Sequence, residues 1–434
     1  MGFVTVPSGK GKSVPDPLEE ARPGTSCFEK DWPWPFLLTV RVPRDAKPGA
    51  YAGSLKFEFV SMDDGPRASE VFEVPVALRV YPFEIPERPS VKTAFGISLS
   101  NALHFEDVKP GTAEARKVHE QYYELLLEYR ISPYEIPVDL LDPDAGKFLD
   151  DPRVTSFQIP FRDDLAWVKA RVDRCREKGW LDRAYFYPWD EPVTDEQYAS
   201  LRAGAEKIRS IDTKLRIVSP FYRDSQAGKS AYDALEGLVS IWCSVSAYFN
   251  PARMEEKRKA GGEVWWYVCC GPGEPYANLH LTMDGMAHRI LPWQMVLHRI
   301  EGFLYWSTTY WNPSHLKDPW ENMVTVPDIN KNLSGDGSLL YPSRRVAPAT
   351  ATAPAQPYRV AKGPVPSLRL LLLRDGFEDL EYLALLEKAA GRAAVEEEVK
   401  KLTADLTHFS KDPAELEKVR REVAERIIGA GSKR

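Results

Sequence analysis

Between residues 91 and 312, the sequence alternates short apolar segments with amphipathic ones, and this rhythm restricts the fold more than any other feature. The strand-like segments, such as EVWWYV at residues 263–268, are continuously apolar and rich in aromatic residues. The segments between them, such as residues 163–178, carry apolar residues at the three- and four-residue spacing of a helix face. The alternation predicts an α/β fold, a (β/α)8 TIM-like barrel with about eight strands.

The segments on either side of the predicted barrel have other patterns. Residues 36–42, 51–60 and 71–81 have the composition of strands separated by turns, which predicts an N-terminal β-sandwich over residues 1–88. Three or four strands would make only a thin sandwich. Residues 377–390 and 394–428 are amphipathic and predict C-terminal helices. We therefore expect a barrel over residues 91–345, followed by a loop and helices over residues 346–434 that pack on it.

Composition excludes several classes of partner. A net charge of -6 over 434 residues provides no surface for a polyanion, so nucleic acid is not an expected partner. No apolar run could span a bilayer and no signal peptide is visible, so we expect no membrane insertion and a cytoplasmic location, unless the N-terminus is truncated. The five cysteines lack framework spacing, which predicts free thiols, and adjacent Cys269 and Cys270 are expected to be buried. No residue cluster predicts a metal site or a cofactor.

The segment AYFYPWDEP at residues 184–192 places two adjacent carboxylates just beyond a buried strand. Pro188 cannot donate a ladder hydrogen bond, so the strand should end there and leave Asp190 and Glu191 in a loop. Pro192 favours an extended Glu191, and Thr194 begins a capping-box pattern for the next helix. Such a pair is often only surface charge near a helix dipole, but the aromatic neighbours favour a functional role. In a parallel barrel, this loop would lie at the edge where such folds do chemistry.

Aromatic residues accumulate at the other predicted strand ends and would line a pocket beside the acidic pair. The C–H faces of sugars pack on aromatic rings, so the combination of aromatic residues and carboxylates suggests glycoside chemistry. For any single Trp, packing in the core explains its presence equally well. Adjacent residues of one loop do not suit the spacing of ordinary retaining or inverting carboxylates, but they suit substrate assistance, in which the 2-acetamido oxygen of the sugar attacks the anomeric carbon. The candidate substrate-binding residues are Tyr187, Trp189, Trp242, Trp266, Tyr267, Trp306, Tyr310 and Trp311.

Short motifs along the chain form a consistent set. They are VPRDAKPGAYAG at residues 42–53, KTAFG at 92–96, DEP at 190–192, DGSLLYP at 336–342, SLR at 367–369 and RDGFEDLEYL at 374–383. Over residues 36–390, the chain resembles glycoside hydrolase family 123 and the related bacterial domain of unknown function 4091. The resemblance implies a β-sandwich, a catalytic barrel and a helical tail. It also implies retaining, substrate-assisted exo-hydrolysis of terminal β-linked N-acetylgalactosamine, with Asp190 orienting the acetamido group and Glu191 as the general acid.

Two other functions fit the same residues. The barrel could hydrolyse another β-linked sugar through a different pocket, or it could be a catalytically silent carbohydrate-binding protein that keeps the aromatic residues. An enzyme should lose turnover when Glu191 is replaced by Gln while sugar binding survives, whereas a silent protein has no turnover to lose.

Overall fold

The computed structural model describes residues 3–6, 12–18, 36–60, 69–314, 316, 318–320, 334–347 and 356–431. Its strands are β1 (Phe3–Val6), β2 (Lys12–Pro15), β3 (Gly49–Val60), β4 (Ser69–Val80), β5 (Lys92–Phe95), β6 (Phe157–Gln158), β7 (Ala184–Tyr185), β8 (Ile241–Val245), β9 (Glu263–Tyr267), β10 (Gly302–Tyr305), β11 (Leu340–Tyr341), β12 (Arg344–Ala347), β13 (Gln356–Arg359) and β14 (Val365–Pro366). Its helices are α1 (Leu99–Glu106), α2 (Ala113–Glu128), α3 (Ala145–Leu149), α4 (Leu165–Glu177), α5 (Asp195–Ile211), α6 (Ala231–Ala234), α7 (Pro251–Lys259), α8 (Gly285–Arg289), α9 (Leu291–His298), α10 (Leu368–Ala390), α11 (Arg392–Lys400) and α12 (Pro413–Gly431).

A parallel sheet lies at the centre of the molecule, which confirms the α/β class. Its strand order is β5–β10–β9–β8, and every pair in it is parallel. Gly302 at the start of β10 lies opposite both Lys92 of β5 and Trp265 of β9. β6 and β7 form a second parallel pair, with Phe157 opposite Ala184. The strands therefore present their carboxyl ends at one edge, as parallel strands must.

Parallel pairing continues beyond these strands through short segments. The N–H of Gln158 in β6 donates to the carbonyl oxygen of Tyr134 at 2.7 Å. Single parallel bridges join Phe95 with Pro133, Phe186 with Ile217, and Val218 with Ile241. Between β5 and β8, parallel pairing is thus continued through the segments at residues 133–134, 157–158, 184–186 and 217–218.

The central strands are buried on both faces, which explains why their sequences are continuously apolar. One cluster of buried side chains lies on one face of the strands and contains Ala94, Tyr185, Val218, Ile241, Cys243, Val245, Trp265, Tyr267 and Leu304. The alternate residues, such as Trp242, Trp266 and Phe303, belong to a second, larger cluster that they share with the helices. Because successive strand residues point to opposite faces, this alternation decides on which face of the strands each aromatic residue lies.

The helices follow the predicted periodicity, with two interruptions. α4 matches the helix predicted over residues 163–178, and α5 begins with the expected capping box between Thr194 and Gln197. Residues 285–298 form two helices, α8 and α9, because Pro292 is accommodated only in the first turn of a new helix. The segment 394–428 likewise divides, with Pro413 beginning α12. No helix within the described residues is long and apolar enough to cross a membrane.

The N-terminal part differs from the expected sandwich. β3 and β4 pair in antiparallel fashion along their whole length, which confirms two of the expected strands. Residues 36–42 form no strand, and among the described residues no further strand pairs with this ribbon. Without a second sheet to cover them, apolar side chains such as Phe36, Leu38 and Val71 are 45%, 47% and 62% exposed. Within the described residues, this part consists of the β3–β4 ribbon and a separate antiparallel pair, β1 and β2.

The long helix α10 packs against α8, α9, α11 and α12. At the centre of this layer, the buried Asp379 carboxylate accepts hydrogen bonds from Arg289 at 2.9 Å, Arg420 at 2.6 Å and Trp293 at 3.1 Å. These bonds compensate a charge that burial would otherwise make costly. Of the loop expected before these helices, residues 348–355 lie outside the described residues.

Candidate active site

The acidic pair lies in the loop that follows β7, at the carboxyl edge of the parallel strands. β7 is shorter than predicted, although Phe186 continues its pairing through a bridge to the next segment. The loop is fixed to that segment because the Ser219 hydroxyl donates to the carbonyl oxygen of Trp189 at 2.9 Å. Asp190 is exposed and Glu191 is half-buried, so the two neighbours lie in different environments.

Glu191 has a left-handed backbone conformation, with φ at 45°. The extended conformation expected from the following Pro192 is therefore wrong. A residue with a side chain pays about 1–2 kcal/mol for this conformation, and such strain concentrates at functional sites. Here it accompanies a sharp turn that separates the directions of the Asp190 and Glu191 side chains, so that each meets a different partner.

Tyr267, the last residue of β9, donates its hydroxyl hydrogen bond to Glu191 Oε1. Burial raises the pKa of the Glu191 carboxyl, the bond from Tyr267 opposes that rise, and the negative charge of Asp190 adds to it. The net effect is a pKa above that of an ordinary glutamate. A carboxyl that keeps its proton more firmly is suited to act as a general acid.

Asp190 has its own tyrosine partner. The Tyr187 hydroxyl donates to Asp190 Oδ1 at 2.6 Å. Burial, together with the charges of Tyr134 and Asp190, raises the pKa of Tyr187 well above its usual value, so this hydroxyl stays protonated and remains a donor. The Tyr134 ring packs edge-on against Tyr187 at 6.3 Å between centroids. Sequence reasoning missed Tyr134, whose strand-like segment carried no other signal of function.

Trp306 and Tyr310 form an aromatic pair where β10 ends. Both are half-buried, and their ring centroids are 4.6 Å apart. The Trp306 indole N–H donates to Asp336 Oδ1 at 3.1 Å, and the Tyr305 hydroxyl donates to the same oxygen at 3.2 Å. Burial raises the pKa of Asp336 to about 6. Asp336 was not predicted as a site residue, although the DGSLLYP motif that begins with it was a signal.

The residues around Asp336 hold it against Trp306; residues 334–338 are called the Asp336 loop below. Gly337 has φ at 70°, and a Cβ atom there would lie 2.3 Å from the Trp306 ring. Arg369 donates to the carbonyl oxygens of Gly335 at 2.8 Å and Ser338 at 2.5 Å, on both sides of Asp336. The Arg369 guanidinium is buried and pairs with Asp16 at 3.0 Å. This buried ion pair therefore fixes the loop that orients the Trp306 ring.

Three of the predicted substrate-binding tryptophans lie in the core and not beside the acidic pair. Trp242 and Trp266 point to the helix-facing side of β8 and β9, where Trp266 is fully buried against Phe249 and Phe303. Trp311 is also fully buried, with its ring against Phe105 and Tyr122. The expectation of sugar contacts from these three is corrected, because strand alternation and packing against the helices bury their rings in the core. Trp189 is half-buried in the acidic loop itself.

Cys269 and Cys270 follow β9 and are half-exposed, so the expectation that both are buried is wrong. Their side chains lie beyond the regular strand, where neither the sheet nor the helix layer covers them fully. Among the residues that the structure describes, no group of three or more His, Cys, Asp or Glu side chains is arranged to hold a metal ion.

A comparison with protein families agrees with this site. The model of the glycoside hydrolase 123 catalytic domain matches residues 146–353, a range that includes Asp190, Glu191, Tyr267 and Asp336. This part of the chain is similar to the catalytic domain of glycoside hydrolase family 123. The resemblance drawn from the sequence motifs is thereby confirmed, and the match supports a glycosidase.

Solved structures show the same likeness. A family 123 glycoside hydrolase from Clostridium perfringens, described in terms of glycolipid glycan hydrolysis, is 15% identical over 91% of this chain and 77% of that chain, with a TM-score of 0.57. At this identity, the likeness concerns the fold alone. A glucosidase from Croceicoccus marinus is 12% identical over 58% of this chain and 65% of that chain, with a TM-score of only 0.30. No curated protein matches this chain at a significant level.

Proposed function

We propose that this protein catalyses retaining, substrate-assisted exo-hydrolysis of terminal β-linked N-acetylgalactosamine from glycoconjugates. One observation carries the proposal: two adjacent carboxylates on one loop lie in unlike environments, each with a tyrosine hydroxyl donor of its own. Substrate assistance needs two carboxyl groups in different protonation states, and unlike surroundings supply that difference.

The two carboxyl groups would have distinct roles. Glu191, whose pKa is raised by burial, would donate its proton to the leaving glycosidic oxygen while the acetamido oxygen attacks the anomeric carbon. Asp190 would accept a hydrogen bond from the acetamido N–H and stabilise the positive charge of the cyclised intermediate, with Tyr187 holding its carboxylate in place. Deprotonated Glu191 would then take a proton from the water that opens the intermediate, which retains the configuration of the sugar.

The architecture that we propose around the site is a closed (β/α)8 barrel over residues 91–345. In support, hydrogen bonds run from β5 through the segments at residues 133–134, 157–158, 184–186 and 217–218 to β8, β9 and β10, and β10 pairs with β5 again. In such a barrel, the acidic loop would lie at the catalytic mouth. Residues 1–88 and 346–434 would be the N-terminal β-rich part and the C-terminal helical part.

The half-buried aromatic residues provide the surface on which we propose that the sugar packs. Trp306 and Tyr310 lie at the end of β10, and Trp189 is the neighbour of Asp190. Aromatic rings with one free face suit the C–H face of a pyranose. The family resemblance suggests N-acetylgalactosamine as the sugar, and the work on the Clostridium perfringens relative suggests glycolipid glycans as its source.

Hydrolysis of aryl β-glycosides tests the proposal. The panel contains N-acetylgalactosaminide, N-acetylglucosaminide, galactoside and glucoside, and we expect release from the acetamido sugars alone. Glu191→Gln should lower kcat/KM by about 100-fold to 10,000-fold, the usual contribution of a general acid. Glu196→Gln is the matched control, because Glu196 is exposed in the first turn of the adjacent helix α5 and should leave activity unchanged.

The cyclised intermediate gives an independent test. A thiazoline analogue of that intermediate should inhibit the wild type competitively, and Asp190→Asn should weaken its binding, since the partner of the acetamido group is altered. Release from galactoside or glucoside would refute substrate assistance, because these sugars have no acetamido group. Absence of hydrolysis of all four aryl glycosides, together with binding of the free sugars, would instead support a carbohydrate-binding protein.

A further inference from the structure

Cys269 and Cys270 bring two thiols together at the mouth of the site. Their Sγ atoms are 3.7 Å apart, and both residues are half-buried, whereas Cys175 and Cys243 are buried. Neighbouring side chains of a regular strand point to opposite faces. The two thiols meet because they lie in the bend that follows β9.

We propose that Cys269 and Cys270 form a reversible redox modification site, which closes to a vicinal disulfide by exchange with a low-molecular-weight disulfide such as glutathione disulfide. The Cys270 thiolate attacks one sulfur of glutathione disulfide and releases one glutathione. The Cys269 thiol then loses its proton and attacks the Cys270 sulfur of the mixed disulfide, which releases the second glutathione. The protein loses two hydrogens, and one disulfide is reduced to two thiols.

The order of the two attacks follows from the contact between the sulfurs. The two sulfur atoms are in hydrogen-bond contact, and either thiol can donate. When Cys269 keeps the proton, this contact lowers the pKa of Cys270 and raises the pKa of Cys269. The carboxylates of Asp336 and Glu191 face the pair and oppose the ionisation of Cys270. Because the thiolate is the nucleophile, Cys270 is the residue that reacts first.

A reagent can reach the pair, and the backbone beside it is anchored. A Cβ atom at Gly271 or Gly273 would meet no atom within 4 Å, so the segment that follows the thiols borders open space. The carbonyl oxygen of Cys269 accepts hydrogen bonds from Asn278 at 2.9 Å and bonds to the His280 ring at 2.8 Å. The disulfide would therefore form in a segment that is anchored by hydrogen bonds at the end of β9.

Closure is expected to be readily reversible. Adjacent Cα atoms across a trans peptide are about 3.8 Å apart, which is less than the roughly 4.4–6.8 Å of ordinary disulfides. A vicinal bridge is therefore strained, and strained, exposed disulfides are the labile ones. The pair suits a modification that forms under oxidising conditions and is removed by ordinary thiols.

Formation of the disulfide would also affect Glu191, the candidate general acid, a consequence that rests on the proposed function. Tyr267 precedes Cys269 by two residues and donates to Glu191. Movement of the strand end would shift this donor, and a misplacement of about 1 Å in an active site can cost on the order of 100-fold in rate. We expect the oxidised protein to turn over at least about tenfold more slowly, and dithiothreitol to restore the rate.

Mass spectrometry of the full chain tests the modification without reference to activity. Cys27 lies outside the described residues, so the experiment uses a Cys27→Ser background. After equilibration in glutathione buffers and alkylation, oxidised protein should lack two hydrogens and carry labels on neither Cys269 nor Cys270. The single variants Cys269→Ser and Cys270→Ser, checked for native folding by circular dichroism, should never show this species.

The outcomes separate the inference from the proposed function. A stable mixed disulfide with glutathione, or thiols unchanged in a buffer of glutathione disulfide, would overturn the modification site. A vicinal disulfide that leaves the rate unchanged would uphold the site and overturn its coupling to Glu191. Absence of glycosidase activity in the reduced protein would refute the proposed function, while the mass measurement would still decide whether the disulfide forms.

Discussion

Gly337→Ala is the substitution that most directly tests how Trp306 is held. Gly337 has φ at 70°, and its added methyl group would lie 2.3 Å from the Trp306 ring, whereas ordinary contacts begin near 3.4 Å. The ring or the loop must therefore move by about 1 Å. Because the indole N–H donates to Asp336, this movement would also strain or break that hydrogen bond.

Gly237→Ala provides the matched control. Gly237 has the same φ of 70°, but a Cβ atom there would meet nothing within 4 Å. Gly237→Ala should lower the unfolding free energy only by the cost of placing an alanine in the left-handed conformation, about 1–2 kcal/mol. Gly337→Ala should cost this amount and a further overpacking penalty of about 1–3 kcal/mol.

Urea unfolding and steady-state kinetics measure the two consequences. We expect Gly337→Ala to be less stable than Gly237→Ala. Under the proposed function, it should also lower kcat/KM on the best aryl glycoside at least about tenfold, because the displaced Trp306 ring would no longer contact the sugar. Gly237→Ala should keep the wild-type kcat/KM. Equal stability losses in the two variants, with unchanged kinetics in both, would refute the claim that the Asp336 loop orients Trp306.

Three further predictions follow from buried groups. Tyr267→Phe removes a bond that lowers the pKa of Glu191, so the basic limb of the kcat/KM profile should move to higher pH; a shift to lower pH would contradict the acid role. The pKa of Asp336 is about 6 in the folded protein, against an ordinary value of 3.8, so the stability that this residue contributes is present below pH 3.8 and is lost as the pH rises through 6. Relative to Asp336→Asn, the wild type should lose about 3 kcal/mol of unfolding free energy over that pH range. Parallel stability profiles of the two proteins would refute this expectation. Asp16→Asn leaves the buried Arg369 without its ionic partner and should cost about 3–5 kcal/mol in urea unfolding, whereas a loss below about 1 kcal/mol would mean that the pair is dispensable.

Local patterns predicted much of the parallel sheet and of the acidic loop. The apolar runs indicated β8, β9 and β10 because these strands are buried on both faces, and the capping box indicated the start of α5 because its bonds join residues three apart. The same local chemistry placed Asp190 and Glu191 beyond the end of a strand. Residues 36–42 were predicted wrongly, because apolar composition alone does not tell whether a partner strand exists.

The sequence by itself determined that two adjacent carboxylates would follow a buried strand, because strand, proline and helix cap are set by neighbours along the chain. Only the tertiary structure decided what surrounds them. Tyr267 reaches Glu191 from 76 residues away, and Arg369 holds the Asp336 loop through contacts that no local pattern encodes. Packing likewise decided that Trp311 is fully buried in the core while Trp306 is half-buried, since the environment of a side chain depends on elements distant in sequence.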